Sequence, residues 1–470
     1  MTLEIDLNHA QRIHVVGIGG PGMSAIAIVL HEMGHVVTGS DIRENAAVQS
    51  LRSRGINVSI GHSVDVVADV DAVTYSTGVP RDNIEIVAAS RAGVLVLHRS
   101  EMLAAICSLV RSIGVAGTHG KTTTSAMLVH ILLAAELRPS YVIGAEVLET
   151  SSGASWTGED VFVVEADESD GTHAALFLRA AIITNIDKDH LDYFGSLDEI
   201  RQSFISFADN VDGPVIVCHD DAQVVKMLSE VRSSSREIEF ITYGVTSQAD
   251  VVISNLSLTP TSSECDVTIG GNTHRISLPT FGRHNLLNAV AALVMAHQFG
   301  VTVEVGIKAL ASFDGVERRF QDRGSFNGVA LIDDYAHLPT EIAAVITATK
   351  QRFPQRRLLA VFQPNRFHRI AAMAGDYAEC FKEADIVAIT DVYASGTPRI
   401  EGITGELVVQ AIRGADADKA VAWCRTRDEL VQYVLEELRP GDICLSMGCG
   451  DIEHFPDEIL KAHDARKNSR

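Results

Sequence analysis

Along this chain a short, predominantly apolar run is followed repeatedly by a turn of glycine or polar residues and then by a helical stretch. Such runs occur at 13–18, 112–116, 161–164, 181–183, 329–332, 358–362, 386–389 and 443–445. Strands that are apolar on both faces must be covered on both faces, which is the condition of a parallel sheet with flanking helices. The pattern therefore demands an α/β architecture. Several runs end in polar residues, among them Glu165-Ala166-Asp167, Thr184-Asn185, Asp333-Asp334, Gln363-Pro364-Asn365 and Asp391. Open parallel sheets bind ligands beyond the carboxyl ends of their strands, so these positions mark a site rather than ordinary surface.

A chain of 470 residues has room for about three domains. Shifts in the pattern divide it into 1–108, 109–314 and 315–470, with a β-rich insert at about 237–280, where 238–242, 251–258 and 265–269 alternate without helical spacing. A serine patch at 233–235 is the sole biased segment. The formal net charge of −22 opposes sequence-independent nucleic-acid binding, which needs clustered Lys and Arg. Any anionic substrate must be drawn in by local positive groups. The seven cysteines are scattered without a C-x-x-C pair, the usage expected of reduced thiols in a cytoplasm. No secretory leader is expected in the opening residues Met1–Asp6, and the apolar runs at 25–30 and 128–135 are too short for membrane insertion.

Gly17-Ile18-Gly19-Gly20-Pro21-Gly22 follows an apolar strand and opens a helical stretch at 23–33, with Asp41 after the next strand. Glycines there admit a tight turn and let backbone N–H groups approach a diphosphate, which a nicotinamide dinucleotide and a UDP-sugar both carry. Gly117-Thr118-His119-Gly120-Lys121-Thr122-Thr123-Thr124 likewise lies between a strand and a helix. Its backbone would cradle phosphates, Lys121 would reach the terminal ones, and Thr122 would offer a hydroxyl to Mg²⁺. Its spacing departs from the usual phosphate loop, since position 115 is Val. One hydroxyl cannot hold the ion, and acids follow the next two strands: Glu165–Asp170 and the stretch 184–192, which contains His190. A dinucleotide-dependent oxidoreductase would use the first loop alone and leave Lys121, Glu165 and His190 unexplained. Asn285 and Asn288 fall on one face of an Ala-rich helix that follows Gly282, and Arg318-Arg319-Phe320 stands at the second domain junction.

In this order, and with His98-Arg99-Ser100-Glu101, Asp333-Asp334-Tyr335-Ala336-His337, Phe362-Gln363-Pro364-Asn365-Arg366 and Gly448-Cys449-Gly450-Asp451, the motifs resemble the Mur ligase family from about residue 12 to 455. The resemblance implies three domains: an N-terminal Rossmann-like domain for UDP-N-acetylmuramate, a central ATP-binding domain of P-loop type, and a C-terminal Rossmann-like domain for the amino acid. It implies ATP and Mg²⁺, a lactyl carboxylate activated as an acyl phosphate, and attack by L-alanine or, alternatively, by glycine, serine or a tripeptide. Its implied sugar-nucleotide contacts are Gly17, Gly19, Gly20, Gly22, Met23, Asp41, Ser76, Thr77 and Glu101. For ATP they are Gly117, Thr118, His119, Gly120, Lys121, Thr122, Thr123, Asn285, Asn288, Arg319 and Asp333. Thr122, Glu165 and His190 would hold metal, and Lys121, Glu165, His190, His337, Arg366 and Arg369 would serve the chemistry. Leu338 and Asn365 stand where the alanine-adding branch usually carries histidines, and no lysine lies between Lys188 and Lys226 to be carbamoylated, as some relatives require.

Overall fold

The computed structural model describes residues 5–147, 152–233 and 237–468, so Met1–Glu4 of the opening stretch and Ser234-Ser235 of the serine patch lie outside the described residues. Three sheets follow one another along the chain. The first is wholly parallel, with Arg12–Val16 at its centre between Val36–Asp41 and Ala72–Tyr75, and Asn57–Ile60 and Leu95–His98 at its edges. The chain reverses its direction of winding at Arg12–Val16, which puts the first glycine loop at the switch point.

The second sheet has ten strands among the described residues. Arg111–Ala116 runs parallel between Ala180–Ile183 and Val161–Glu165. The loops after these three strands therefore converge, and they carry the second glycine loop and both acidic stretches. The β-rich segment expected at 237–280 continues this sheet. Phe240–Gly244 and Val251–Leu258 extend it in parallel, and Ser263–Ile269 and Asn272–Leu278 fold back antiparallel. Helix Lys121–Ala134 is buried from Thr122 to Leu132 and packs on the sheet beside helix Arg283–Gln298, which also lies against it. Burial on all sides explains why neither helix shows a strong apolar stripe.

The third sheet runs Gln321–Phe326, Val329–Asp334, Ile443–Met447, Leu358–Phe362, Ile386–Thr390, Val421–Cys424, parallel except at its first strand. Its central strands are fully buried, as their composition requires. The loops after Val329–Asp334, Leu358–Phe362 and Ile443–Met447 face the second glycine loop. Among the described residues no helix is long and apolar enough to cross a membrane.

Candidate active site

The second glycine loop is fastened from below. Gly117 (φ +128°) and Gly120 (φ +81°) adopt backbone conformations that L side chains rarely reach. A Cβ at Gly117 would collide with the Thr184 hydroxyl, and one at Gly120 would come within 2.7 Å of Asn288 Oδ1. Thr184 Oγ1 donates to the His119 carbonyl (2.6 Å), while Asn185 Oδ1 accepts from the His119 N–H (2.8 Å). Helix Lys121–Ala134 starts directly from the loop with no capping side chain and no acid in its first turn. Its free N–H groups and positive end are open to an anion.

Lys121 Nζ lies 2.7 Å from the Gly117 carbonyl and 2.8 Å from Glu168 Oε2. Burial pushes the Glu168 carboxyl up, to about 7, against the pull of Lys121. Thr122 Oγ1 donates to Glu165 Oε1 at 3.2 Å, and Gly144 N–H donates to Glu165 Oε2 at 2.8 Å. No cluster of three metal-binding side chains exists among the described residues. Thr122 and Glu165 offer hard oxygens that suit Mg²⁺, an ion that keeps water and phosphate oxygens in its shell and needs no all-protein cage.

From the next strand end, Asp189 accepts three bonds from Arg369 between 2.8 and 3.1 Å and faces His190 Nε2 at 3.1 Å. Both Asp189 and Arg369 are buried. Although burial opposes ionisation, the charge and hydrogen bonds of Arg369 hold the Asp189 carboxyl well below the usual carboxylate range. In its neutral form His190 can present the Nδ1 lone pair to Arg366 Nη1, 3.3 Å away, while its backbone N–H donates to Asp189 Oδ1 at 2.7 Å. Burial lowers the His190 ring below its ordinary value, favouring that neutral form. Asn365 Oδ1 accepts from Arg369 Nη1 at 2.6 Å, and Leu338 packs into the third sheet's core.

Two adjoining cavities collect these groups. One, of about 540 Å³, is bordered by Lys121, Thr122, Glu165, His190, His337, Arg366 and Arg369, so the six residues expected to serve the chemistry share one cleft. The other, of about 290 Å³, is bordered by His119, Gly120, Thr123, Asn285, Asn288 and Arg319. Arg319 stacks 5.0 Å from the centre of the Tyr335 ring. Asp333 faces neither cavity: its carboxylate is fully buried against Arg318 Nε (2.9 Å) and Ser446 Oγ (2.9 Å). Its neighbour Asp334 borders the smaller cavity, and burial raises its carboxyl to about 6.

In the first domain, Gly17 N–H donates to the Ser40 carbonyl (2.8 Å) and Gly19 N–H to Asp41 Oδ2 (2.9 Å), which shapes the loop. Met23 is buried in the core, Ser76 and Thr77 follow the strand Ala72–Tyr75, and Glu101 caps the helix Arg99–Cys107 by accepting from His98 N–H. Thr77 Oγ1 donates to Asp170, and Arg99 pairs with Asp167 and Asp170 at 2.9 Å. Arg99 was quoted within a motif but given no role. Glu168, the partner of Lys121, likewise stands in a motif without a role, and Glu341, which meets His119 across the domain boundary, stands in none. In each case only the pairing distinguishes the side chain from a surface charge, and pairing has no sequence signal.

Comparison with known proteins covers the same three units. Family models match at 12–111 (Mur ligase family, catalytic domain), 115–296 (Mur ligase middle domain) and 318–450 (Mur ligase, glutamate ligase domain). The UDP-N-acetylmuramate–L-alanine ligase of Geobacter sulfurreducens is 37% identical over 462 residues, covering 97% of this chain and 99% of the relative. The enzyme of that name from Bradyrhizobium is 40% identical over 460 residues, covering 95% and 97%. Among solved structures, the UDP-N-acetylmuramate–alanine ligase of Thermotoga maritima aligns with a TM-score of 0.80 at 28% identity, covering 97% of this chain and all of that one. A murein peptide ligase from Psychrobacter arcticus shares the fold, with a TM-score of 0.70 at 22% identity over 96% and 98% of the two chains.

Proposed function

This chain belongs to the Mur ligase family, and from that premise we propose that it joins L-alanine to the lactyl carboxylate of UDP-N-acetylmuramate. The reaction consumes ATP, passes through an acyl phosphate and yields ADP and phosphate, as a step in peptidoglycan precursor synthesis. The observation that carries the reading is the single cleft in which Lys121, Thr122, Glu165 and His190 of the central sheet face His337 and Arg366 of the third. We assign 1–108 to the sugar nucleotide, 109–314 to ATP and 315–470 to the amino acid. We place the enzyme in the cytoplasm, supported by seven cysteines that are all unpaired.

Phosphoryl transfer is mainly positioning and charge neutralisation. The adenosine end of ATP occupies the smaller cavity beside Asn285, Asn288 and Arg319, and its phosphates cross the loop into the larger one. Lys121 exchanges Glu168 for the terminal phosphate, and the uncapped helix N-terminus holds the others. Thr122 and Glu165 would hold one Mg²⁺, and His190 Nδ1 a second once Arg366 turns to substrate. When bound, Mg²⁺ supplies charge neutralisation at the transferring phosphoryl group. Arg99, tied to Asp167 and Asp170, joins the first domain's loop to the cleft, so that the lactyl carboxylate arrives opposite the loop. Arg369 is committed to Asp189, which leaves Arg366 as the guanidinium free to clamp the alanine carboxylate. His337, whose ring burial lowers to about 4, is neutral and can accept a hydrogen bond from the incoming amine.

The test is Mg²⁺-dependent phosphate release from ATP with UDP-N-acetylmuramate, adding L-alanine, glycine, L-serine or a tripeptide separately. Release that requires both sugar nucleotide and L-alanine supports the assignment. Preference for another amine moves the specificity and directs attention to Leu338 and Asn365. No release with any amine refutes the catalytic reading.

A further inference from the structure

His119 sits in the phosphate loop, yet none of its polar groups is left for a phosphate. Its N–H and carbonyl are taken by Asn185 and Thr184. Ring Nε2 lies 2.9 Å from Asp187 Oδ2, and ring Nδ1 lies 3.1 Å from Glu341 Oε1. The first partner belongs to the central sheet's next loop, and the second to helix Pro339–Arg352 of the third domain. Thr340 Oγ1 donates to the same Asp187 oxygen at 2.6 Å, so two adjacent residues of that helix start are pinned to the central domain. The other oxygen of Glu341 accepts from His337 N–H (2.9 Å) and Leu338 N–H (3.1 Å). A continuous chain of hydrogen bonds thus runs from the nucleotide loop through His119 and Glu341 to the backbone of His337.

We propose that His119 and Glu341 are positioning residues that form an interdomain latch, setting His337 against the acceptor amine when the phosphate loop is in place. The proposal deepens the ligase reading and rests on it for the identity of the amine. Two carboxylates on one imidazole make it a cation: although burial alone would lower the ring, Asp187 and Glu341 raise it to about 9. Arg319, His337 and His284 also face Glu341; the two rings are lowered to about 4 by burial, so Arg319 is the one of the three whose charge adds to the field that keeps it ionised. Glu341 borders both cavities, so the latch stands between nucleotide and amine sites. Because coupling between sites is reciprocal, an occupied nucleotide site tightens the amine site, and the reverse also holds.

The experiment uses the full chain with His119→Asn, with Glu341→Gln, which keeps an acceptor for the His337 and Leu338 N–H groups, and with both together. Loss of one charged hydrogen bond across the boundary should raise the KM for L-alanine about tenfold or more, with Kd for a fluorescent ATP analogue changed less than about twofold. The double variant should be no worse than the worse single one, since both break one link. With the analogue bound, both variants should have a larger radius of gyration than the parent chain. If His119→Asn fails to fold, His119→Gln keeps a donor for one carboxylate and should give an intermediate KM. Weakened nucleotide binding with an unchanged L-alanine KM would overturn the latch and make His119 a phosphate ligand. Multiplying losses in the double variant would also overturn it. If the parent chain shows no alanine-dependent turnover, the ligase reading fails alone, and the radius decides: equal values for parent and His119→Asn refute the latch.

Discussion

Arg369 and Asp189 come from different domains and close on each other out of water, 8% and 7% exposed. Arg369 makes three bonds to the carboxylate between 2.8 and 3.1 Å and a fourth to Asn365 Oδ1 at 2.6 Å. Arg369→Ala would leave Asp189 buried with only His190 beside it, at a cost of about 3–5 kcal/mol. Spread over a unit of domain size, that is a fall in Tm on the order of 10 °C. The double variant Arg369→Met with Asp189→Asn removes both charges and their desolvation, so it should regain most of the loss. The sign with pH also follows. A carboxyl held below its ordinary value contributes stability that is complete above the unfolded pKa of 3.8 and is lost as pH falls below it. The deficit of Arg369→Ala should therefore be constant between pH 6 and 8, as followed by urea unfolding and by calorimetry. An Arg369→Ala deficit under about 1 kcal/mol, or a double variant as unstable as the single, would refute the buried-pair reasoning.

Arg366→Ala should behave in the opposite way, leaving Tm within about 2 °C while raising the KM for L-alanine tenfold or more, as expected of a lost bidentate contact. Steady-state phosphate release at varied L-alanine checks it. Gly117→Ala should cost about 2–5 kcal/mol from the disfavoured φ and the overlap with Thr184, and should abolish turnover. Adding Thr184→Ala relieves the overlap but not the φ, so thermal unfolding should show partial rescue only. In the first domain Glu85 is fully buried and takes hydrogen bonds from Ser40 (2.5 Å) and Ser63 N–H (3.0 Å) beside His14 and His62. Burial pushes its carboxyl up, but His14, Ser40 and Ser63 outweigh this and hold it at about 2, from 4.5. Its contribution, about 3 kcal/mol, is complete above pH 4.5 and fades as pH falls toward 2, so urea midpoints of the parent chain should drop faster with acid than those of Glu85→Gln.

The central strands were legible because they are buried on both faces, and burial on both faces leaves an unbroken apolar run; exposed edge strands such as Asn57–Ile60 and Gln321–Phe326 leave none. The two glycine loops were legible for a similar reason: a positive φ or a close backbone approach leaves glycine as the cheap residue, at Gly17 and Gly117 alike. Neither signal extends to which acid meets which base. Asp333 and Asp334 are adjacent in an identical local pattern, and strand alternation alone sends the first into the core against Arg318 and the second to the cavity wall. A phase error of one residue at the end of a strand exchanges their roles. Arg366 and Arg369 likewise share a helix start, yet only Arg369 turns inward to Asp189, because that carboxylate reaches it from a loop 180 residues away. Charged residues at strand ends are thus identified as a set by sequence and as individuals only by the packing of three separate sheets. For this reason the residues that line the cleft could be gathered from motifs, whereas the bonds that join its halves (Arg99 to Asp170, His119 to Glu341, Arg369 to Asp189) could not.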